Sequence, residues 1–297
     1  MTAGSLKSER PNQAIDPIEL FQRLLDGERE VRLVNIYKGV PISYPATLLK
    51  CGDSGIRVRT ERFQMACLYR EKETFIQSTS FLETIYARVI ELDLPRVEAV
   101  LGNLTIIPNA IGDRTQVRVQ PSEAIRGHVH LNEMRQAIPG ELADISRNGV
   151  GIYLRKGSLG REYLLPGKGI TVSLHLPGEY EMNPAETGPT LGGADDALER
   201  FSRSQLRVSH VPGASRGSSA GREGYGGQKI RNPRIAVDGV IAYVLDPPGG
   251  DRVRVGVRMN PANPSRPLIA LFITQRQSEI IRELRTLVDM LTQKTSE

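Results

Sequence analysis

The sequence predicts a mainly β protein with two small β-barrel domains and a C-terminal α-helix. Short runs rich in β-branched and apolar residues recur from Val31 onward, separated by Gly, Pro, Asp and Ser, a spacing typical of barrels and sandwiches. The composition of 29 Gly, 19 Pro and no Trp also favours turns and strands. The last segment, about 269–294, instead repeats its apolar residues at helical spacing. A chain of 297 residues is long enough for two domains, each with its own core.

The N-terminal domain is predicted over residues 13–110, after a flexible tail at 1–12. The run Asp16-Pro17-Ile18-Glu19 predicts a helix start, because Asp accepts hydrogen bonds from free amides and Pro fits the first helical position. This helix is expected to run to about Asp26. The β runs that follow are VRLVNI, PATLLKCG, GIRVRT, ETFIQS, IYARVIELD and RVEAVLG. The non-periodic stretch PNAIGD, residues 108–113, then marks the domain boundary.

The second domain, residues 111–297, resumes the strand pattern and is interrupted once. Its first strand runs are TQVRVQ, IRGHVHLNE, GELADIS, GVGIYLR and GITVSLHLPG. Residues 182–232 are rich in Gly, Ser, Ala, Pro and Arg and poor in large apolar side chains, so they are predicted to form a disordered insert. Strands return in IAVDGVIAYVL and DRVRVGVRM, and the helix over about 269–294 is expected to pack on the barrel.

The net charge of +5 is concentrated in one segment. Between Arg207 and Arg234 there are six basic residues and one acidic residue, which accounts for the whole excess. The rest of the chain is formally balanced, so no broad basic face for binding DNA is expected. Only Cys51 and Cys67 are present, which fits a reducing cytoplasm rather than a disulfide framework. No signal-peptide core or long apolar run is apparent, so a cytoplasmic protein that is not membrane-embedded is expected.

No catalytic or metal-binding constellation is apparent in the sequence. Among four histidines only His128 and His130 have a spacing that could place two imidazoles on one strand face, and no third ligand lies near them. Such alternation is also expected on the solvent side of any strand. No nucleophile elbow, Walker loop or zinc-protease helix is present. The protein is therefore predicted not to be an enzyme and to carry no cofactor or metal.

Two linked motifs remain as a candidate binding site. The first is Arg114-x-x-x-Arg118, and the second is Asp144-x-Ser146-x-x-Gly149. Arginine forks pair with phosphate oxygens and stack on purine rings. Asp and Ser two apart on a strand share one face, where a carboxylate matches the N1–H and N2–H donors of guanine. Gly149 allows a positive φ or the close approach of a ligand. Taken alone, the arginines also suit a solvated surface, and SRNG also suits a hairpin turn.

Taken together and in this order, the five residues resemble the signatures of the PilZ family of bacterial cyclic di-GMP receptors. The strand DRVRVGVRM and the closing helix fit the late part of the same domain. Residues 13–110 resemble the split-barrel domain that precedes PilZ in flagellar-brake-type proteins. The resemblance implies a six-stranded PilZ barrel, no catalysis, and cyclic di-GMP bound by Arg114, Arg118, Asp144, Ser146 and Gly149. Asp113, beside the arginine motif, leaves open whether one or two ligand molecules bind.

The position of the arginines suggests a mechanism. A ligand that pins them against the barrel would also fix the orientation of the N-terminal domain and act as an interdomain switch. The resemblance implies a downstream protein partner in the flagellar motor or polysaccharide machinery, and control of motility or surface attachment. Two alternatives stay open: an adaptor that binds RNA, proteins or anionic surfaces through the basic insert, and a degenerate PilZ scaffold that binds only proteins.

Overall fold

The computed structural model describes residues 16–27, 29–107, 117–132, 134, 136–182 and 228–294. The chain divides into two compact units that alternate along the sequence. The first unit comprises residues up to 122, 143–148 and those from 273 onward, and the second comprises 123–142 and 149–272. The predicted tail at 1–12 and the predicted boundary near residue 110 lie outside the described residues, so the domain bounds stay a prediction.

The N-terminal part of the first unit is a closed barrel with two helices. Its strands follow the order β1-β2-β3-β6-β5-β4, with every neighbouring pair antiparallel. The predicted barrel is thus confirmed. Its elements are α1 (Pro17–Leu25), β1 (Glu30–Tyr37), β2 (Val40–Gly52), β3 (Gly55–Arg59), α2 (Arg62–Glu71), β4 (Glu73–Gln77), β5 (Thr84–Asp93) and β6 (Glu98–Ile107).

Helix α1 begins as the sequence predicts. The Asp16 side chain accepts a hydrogen bond from the Ile18 amide at 2.9 Å, and a proline occupies the first turn, where no amide donor is needed. The helix buries Phe21, whose ring meets that of Phe81 edge to face with centroids 5.8 Å apart. These contacts place α1 against the apolar core of the barrel, which also contains Leu33, Leu48, Val58, Ile76, Ile85 and Leu101.

Helix α2 was not predicted from the sequence. It buries five consecutive residues, Gln64–Leu68, so the apolar and polar alternation that marks a surface helix is absent. Gln64 lies within a buried polar network, in which its amide nitrogen donates to Asn35 Oδ1 at 2.6 Å. Thr74 donates to the same oxygen at 2.8 Å, and Asn35 donates to the Glu73 carbonyl at 2.6 Å. The network ties α2 to β1 and β4 through buried hydrogen bonds.

The second barrel is also closed, as predicted. Its strand order is β10-β15-β14-β11-β8-β9, with β10 pairing again with β9, and β7 extends the sheet beyond β9. Strand β9 and helix α3 contribute residues to both units. The elements are β7 (Arg118–Val119), β8 (Arg126–Leu131), β9 (Ile138–Ser146), β10 (Gly149–Arg155), β11 (Gly169–His175), β14 (Arg234–Leu245), β15 (Arg252–Met259) and α3 (Arg266–Lys294).

The predicted bounds of the insert, 182–232, need correction at both ends. Strands β12 (Glu179–Met182) and β13 (Gln228–Arg231) pair antiparallel, with Tyr180 opposite Ile230. Tyr180 is buried, and its hydroxyl donates to the Pro177 carbonyl. Because Glu179 and Glu181 flank this tyrosine, the sequence pattern did not indicate a strand here. The centre of the insert lies outside the described residues.

Helix α3 begins three residues before its predicted start at 269. Its buried apolar positions, Ile269, Phe272, Ile273, Ile280, Leu284 and Leu291, recur mostly at helical spacing, as predicted. Within the part of the chain that the structure describes, no helix is both long and apolar enough to cross a membrane.

Candidate functional site

Arg118 lies on β7, a strand of only two residues. In the antiparallel pairing with β9, Arg118 stands opposite Ser146 and Val119 stands opposite Ile145. Val119 and Ile145 are fully buried, whereas 37% of the Arg118 side chain is exposed. Because successive side chains of a strand point to opposite faces, burial of Val119 turns Arg118 outward. The buried Val119 side chain thus leaves the Arg118 guanidinium at the surface.

Asp144 and Ser146 lie at the end of β9, one strand away from Arg118. As predicted for residues two apart on a strand, they lie on the same face of β9, and both are buried. Arg118 Nη1 donates to Asp144 Oδ1 at 3.4 Å. A hydrogen bond of this length with a partly exposed arginine contributes about 1 kcal/mol or less. The contact is therefore readily exchanged for a stronger partner of either group.

Gly149 opens β10 and belongs to the second unit. A Cβ at this position would meet the Val257 carbonyl oxygen at 2.1 Å, so only glycine lets β10 lie this close to β15. The sequence suggested a positive φ or the close approach of a ligand. The φ of Gly149 is not positive, and the structure shows the close approach of a neighbouring strand; the contact with a ligand stays a prediction. Arg147 and Asn148 form the turn between β9 and β10, as the hairpin interpretation of SRNG predicts.

Arg114 and its neighbour Asp113 lie outside the described residues. Of the predicted site residues, the structure brings Arg118, Asp144 and Ser146 together in the first unit. Arg118 belongs to the arginine motif, whereas Asp144 and Ser146 belong to the Asp-x-Ser-x-x-Gly motif. Arg118 and Asp144 are 26 positions apart in the chain.

Sequence reasoning missed a turn that packs directly on the Arg118 backbone. Lys38 and Gly39 connect β1 to β2 with φ values of 50° and 87°. A Cβ on Gly39 would lie 2.0 Å from the Arg118 carbonyl oxygen, so the turn admits only glycine here. The Gln120 amide donates to the Lys38 carbonyl at 3.1 Å. The turn therefore holds the chain on both sides of Val119.

Arg276 of α3 was also missed. Its Nε donates to the Gln120 carbonyl at 2.9 Å, and its Nη1 donates to Glu279 and Glu283, both at 2.9 Å. Only 3% of the Arg276 side chain is exposed. Lys38 forms an ion pair with the same Glu283. Lys38, Gly39 and Arg276 contact the segment that carries Arg118, and Glu283 bonds to Lys38 and Arg276; we call these four residues the clamp.

The electrostatics of the clamp are favourable to an ionised carboxylate. Partial burial alone would raise the pKa of Glu283, but hydrogen bonds from Lys38 and Arg276 outweigh it and hold the pKa below the ordinary value of 4.5. The two partners of Glu283 are 245 and 7 positions away in sequence. No local pattern could have indicated the first of these.

The histidines do not form a metal site within the described parts of the chain. His128 and His130 lie on β8 opposite Ser173 and Thr171 of β11, which supply no further ligand of the usual kind. Across residues 16–182 and 228–294, as far as they are described, no group of three or more His, Cys, Asp or Glu could hold a metal ion.

No protein-family model matches the sequence, and no curated protein matches it. Among solved structures, the chain is similar to the inhibitor of motility MotI/DgrA of Bacillus subtilis, with 11% identity, 84% of this chain and 96% of that chain covered, and a TM-score of 0.35. It is similar to YcgR from Escherichia coli in complex with c-di-GMP, with 11% identity, coverage of 92% and 95%, and a TM-score of 0.34.

A third similar structure is the MrkH complex with c-di-GMP from K. pneumonia, with 12% identity, coverage of 94% and 95%, and a TM-score of 0.31. All three TM-scores lie below 0.5.

Proposed function

We propose that this protein is a non-enzymatic receptor for cyclic di-GMP. The ligand would be held by Arg114, Arg118, Asp144 and Ser146, together with Gly149, the last residue of the second motif. The observation that carries the proposal is the in-register pairing of Arg118 with Ser146, beside a contact of 3.4 Å between Arg118 and Asp144. Arg118 of one motif thus lies beside Asp144 and Ser146 of the other, which supports a shared ligand site.

The chemistry of the three described side chains suits a guanine nucleotide. The Asp144 carboxylate matches the N1–H and N2–H donors of guanine, and the Ser146 hydroxyl both donates and accepts. The Arg118 guanidinium suits phosphate oxygens and the face of a purine. Binding would exchange the long Arg118–Asp144 contact for several charge-assisted hydrogen bonds, each worth about 1.5–3 kcal/mol. This exchange favours the nucleotide complex.

The burial of Asp144 and Ser146 gives binding a conformational component. Their exposed fractions are 5% and 3%, so a base edge reaches them only after covering groups move. Binding would therefore shift the protein towards a conformation in which the groups that cover Asp144 and Ser146 have moved away. We propose that this movement reorients the N-terminal domain and that a downstream protein reads the change. The proposed output is motility or surface attachment through the flagellar motor or polysaccharide machinery, in the cytoplasm.

The proposal is tested by calorimetric titration of the full chain with cyclic di-GMP, with GTP as a control ligand. Saturable binding is expected for the wild type and for Arg126→Ala, because Arg126 is an exposed arginine at the start of β8. Binding is expected to be lost in Arg118→Ala. The stoichiometry also decides whether one or two ligand molecules bind beside Asp113.

No saturable binding by the wild type at high micromolar ligand would overturn the receptor proposal. Deletion of residues 207–227, which removes Arg207, Arg216 and Arg222 but leaves β13 and β14 intact, separates it from the adaptor alternative. A receptor keeps its nucleotide affinity after this deletion, whereas an adaptor that uses the basic segment loses a strongly salt-dependent affinity for RNA. A degenerate scaffold binds neither ligand.

A further inference from the structure

We infer that Arg276 is a positioning residue for Arg118 and thereby sets the affinity for the ligand. The inference rests on the proposed function and extends it to a residue of α3, 158 positions from Arg118 in sequence. Arg276 acts on the backbone of Gln120, two residues further along the same segment.

The Arg118 segment depends on bonds outside the sheet. Strand β7 has two residues, so the ladder with β9 fixes only Arg118 and Val119. The next residue, Gln120, uses its amide to donate to the Lys38 carbonyl and its carbonyl to accept from Arg276 Nε. Two strand positions alone give little cooperative stability. The two bonds of Gln120 therefore decide how firmly the strand is held.

Three residues of the clamp, Lys38, Glu283 and Arg276, form a ring of hydrogen bonds with Gln120. Gln120 donates to Lys38, Lys38 pairs with Glu283, Glu283 accepts from Arg276, and Arg276 donates back to Gln120. Each charged member is thus fixed by a partner that is itself bonded. An arginine held at several donors loses little additional freedom when it fixes a carbonyl. The ring converts a flexible side chain into a rigid support.

Stability alone does not explain an arginine at this position. Arg276 Nη2 is buried and has no hydrogen-bond partner among the described residues, and an unsatisfied buried donor is costly. An apolar side chain of similar length avoids that cost. What only the arginine supplies is the Nε bond to Gln120 together with the Nη1 bonds to Glu279 and Glu283.

The consequence for the ligand is preorganisation. When Gln120 is held on both sides, the Arg118 backbone is already fixed before the phosphates arrive, and less freedom is lost on binding. Without Arg276, Gln120 keeps its bond to the Lys38 carbonyl, but its own carbonyl loses the Arg276 donor. We expect the dissociation constant for cyclic di-GMP to rise about tenfold, equivalent to about 1.4 kcal/mol.

The test uses Arg276→Met and Arg276→Lys in the full chain, with Arg282→Met as the matched control. Arg282 is an exposed arginine on the same helix. Cyclic di-GMP affinity is measured by calorimetry, and exchange of the Gln120 amide by NMR. Arg276→Met is expected to raise the dissociation constant about tenfold and to speed Gln120 exchange at least tenfold. The lysine keeps the charge but not the planar fork, so it restores neither value fully.

A double-mutant cycle distinguishes positioning from a general loss of stability. In an Arg118→Lys background, Arg276→Met is expected to have a much smaller effect on affinity, because it acts through the residue already changed. Equal effects in both backgrounds, or an affinity within twofold of wild type for Arg276→Met, would overturn the inference. If the wild type binds no cyclic di-GMP, the proposed function fails, and unchanged Gln120 exchange in Arg276→Met then refutes the positioning role independently.

Discussion

Replacing Gly39 by alanine tests the contact between the N-terminal barrel turn and the Arg118 strand. Gly39 has a φ of 87°, and an added Cβ would lie 2.0 Å from the Arg118 carbonyl oxygen. An ordinary contact of this kind begins at 3.4 Å, so the turn must retreat by about 1.4 Å. Such a shift would break the 3.1 Å hydrogen bond from the Gln120 amide to Lys38.

The expected cost has two parts. A non-glycine residue in the left-handed region costs roughly 1–2 kcal/mol. Loss of the Gln120 hydrogen bond adds about 0.5–1.5 kcal/mol. The free energy of unfolding is therefore expected to fall by about 1.5–3.5 kcal/mol in Gly39→Ala.

Two other glycines serve as controls in the same urea titrations. Gly157 has a φ of 77° but nothing within 4 Å of an added Cβ, so Gly157→Ala is expected to show only the backbone cost of about 1–2 kcal/mol. Gly27 has neither feature, and Gly27→Ala is expected to change little. A cost for Gly39→Ala no greater than that for Gly157→Ala would refute the packing of the turn on Arg118.

Three further predictions concern titration, reactivity and packing. Glu283→Gln is expected to lower the free energy of unfolding at pH 7, and this difference from wild type is expected to shrink below pH 4.5. The pKa of Glu283 is lowered in the folded state, so its stabilising effect disappears as the carboxylate is protonated. A pH-independent difference in urea unfolding would contradict this. Burial, and to a lesser extent a nearby glutamate, raises the pKa of Cys67 to about 12. This thiol should therefore react with a disulfide reagent only after unfolding, whereas the partly exposed Cys51 should react in the folded protein. Equal reaction rates of the two thiols in the native protein would contradict this prediction. Gly149→Ala should lose about 1–3 kcal/mol of stability through its clash with Val257, and a variant of full stability that has lost ligand binding would instead assign Gly149 to the ligand.

The barrels could be predicted from local pattern because inward and outward residues alternate along their strands. In β10, for example, Val150, Ile152 and Leu154 are buried in the core at every second position. Helix α2 could not be predicted in this way, because Gln64–Leu68 are all buried and leave no contrast between two faces. The pattern that identifies a helix disappears when the helix is enclosed.

The candidate site could be predicted only in part, for a related reason. Arg118, Asp144 and Ser146 are visible in sequence because each motif has a fixed local spacing. The residues that hold them are not, since Arg276 and Gln120 are 156 positions apart and share no motif. Hydrogen bonds between a side chain and a distant backbone carbonyl depend on the tertiary fold and not on local residue type.

Strands β12 and β13 place the two ends of the insert side by side, with Met182 opposite Gln228. Closing a chain between two fixed points costs an entropy that grows only by about 0.6 kcal/mol for each doubling of its length. Residues 183–227 are therefore a position where chain length can change at little energetic cost. A fluorescent protein spliced in at this point would be attached through two adjacent strands, which makes the insert a practical place to build a fluorescent reporter into the protein.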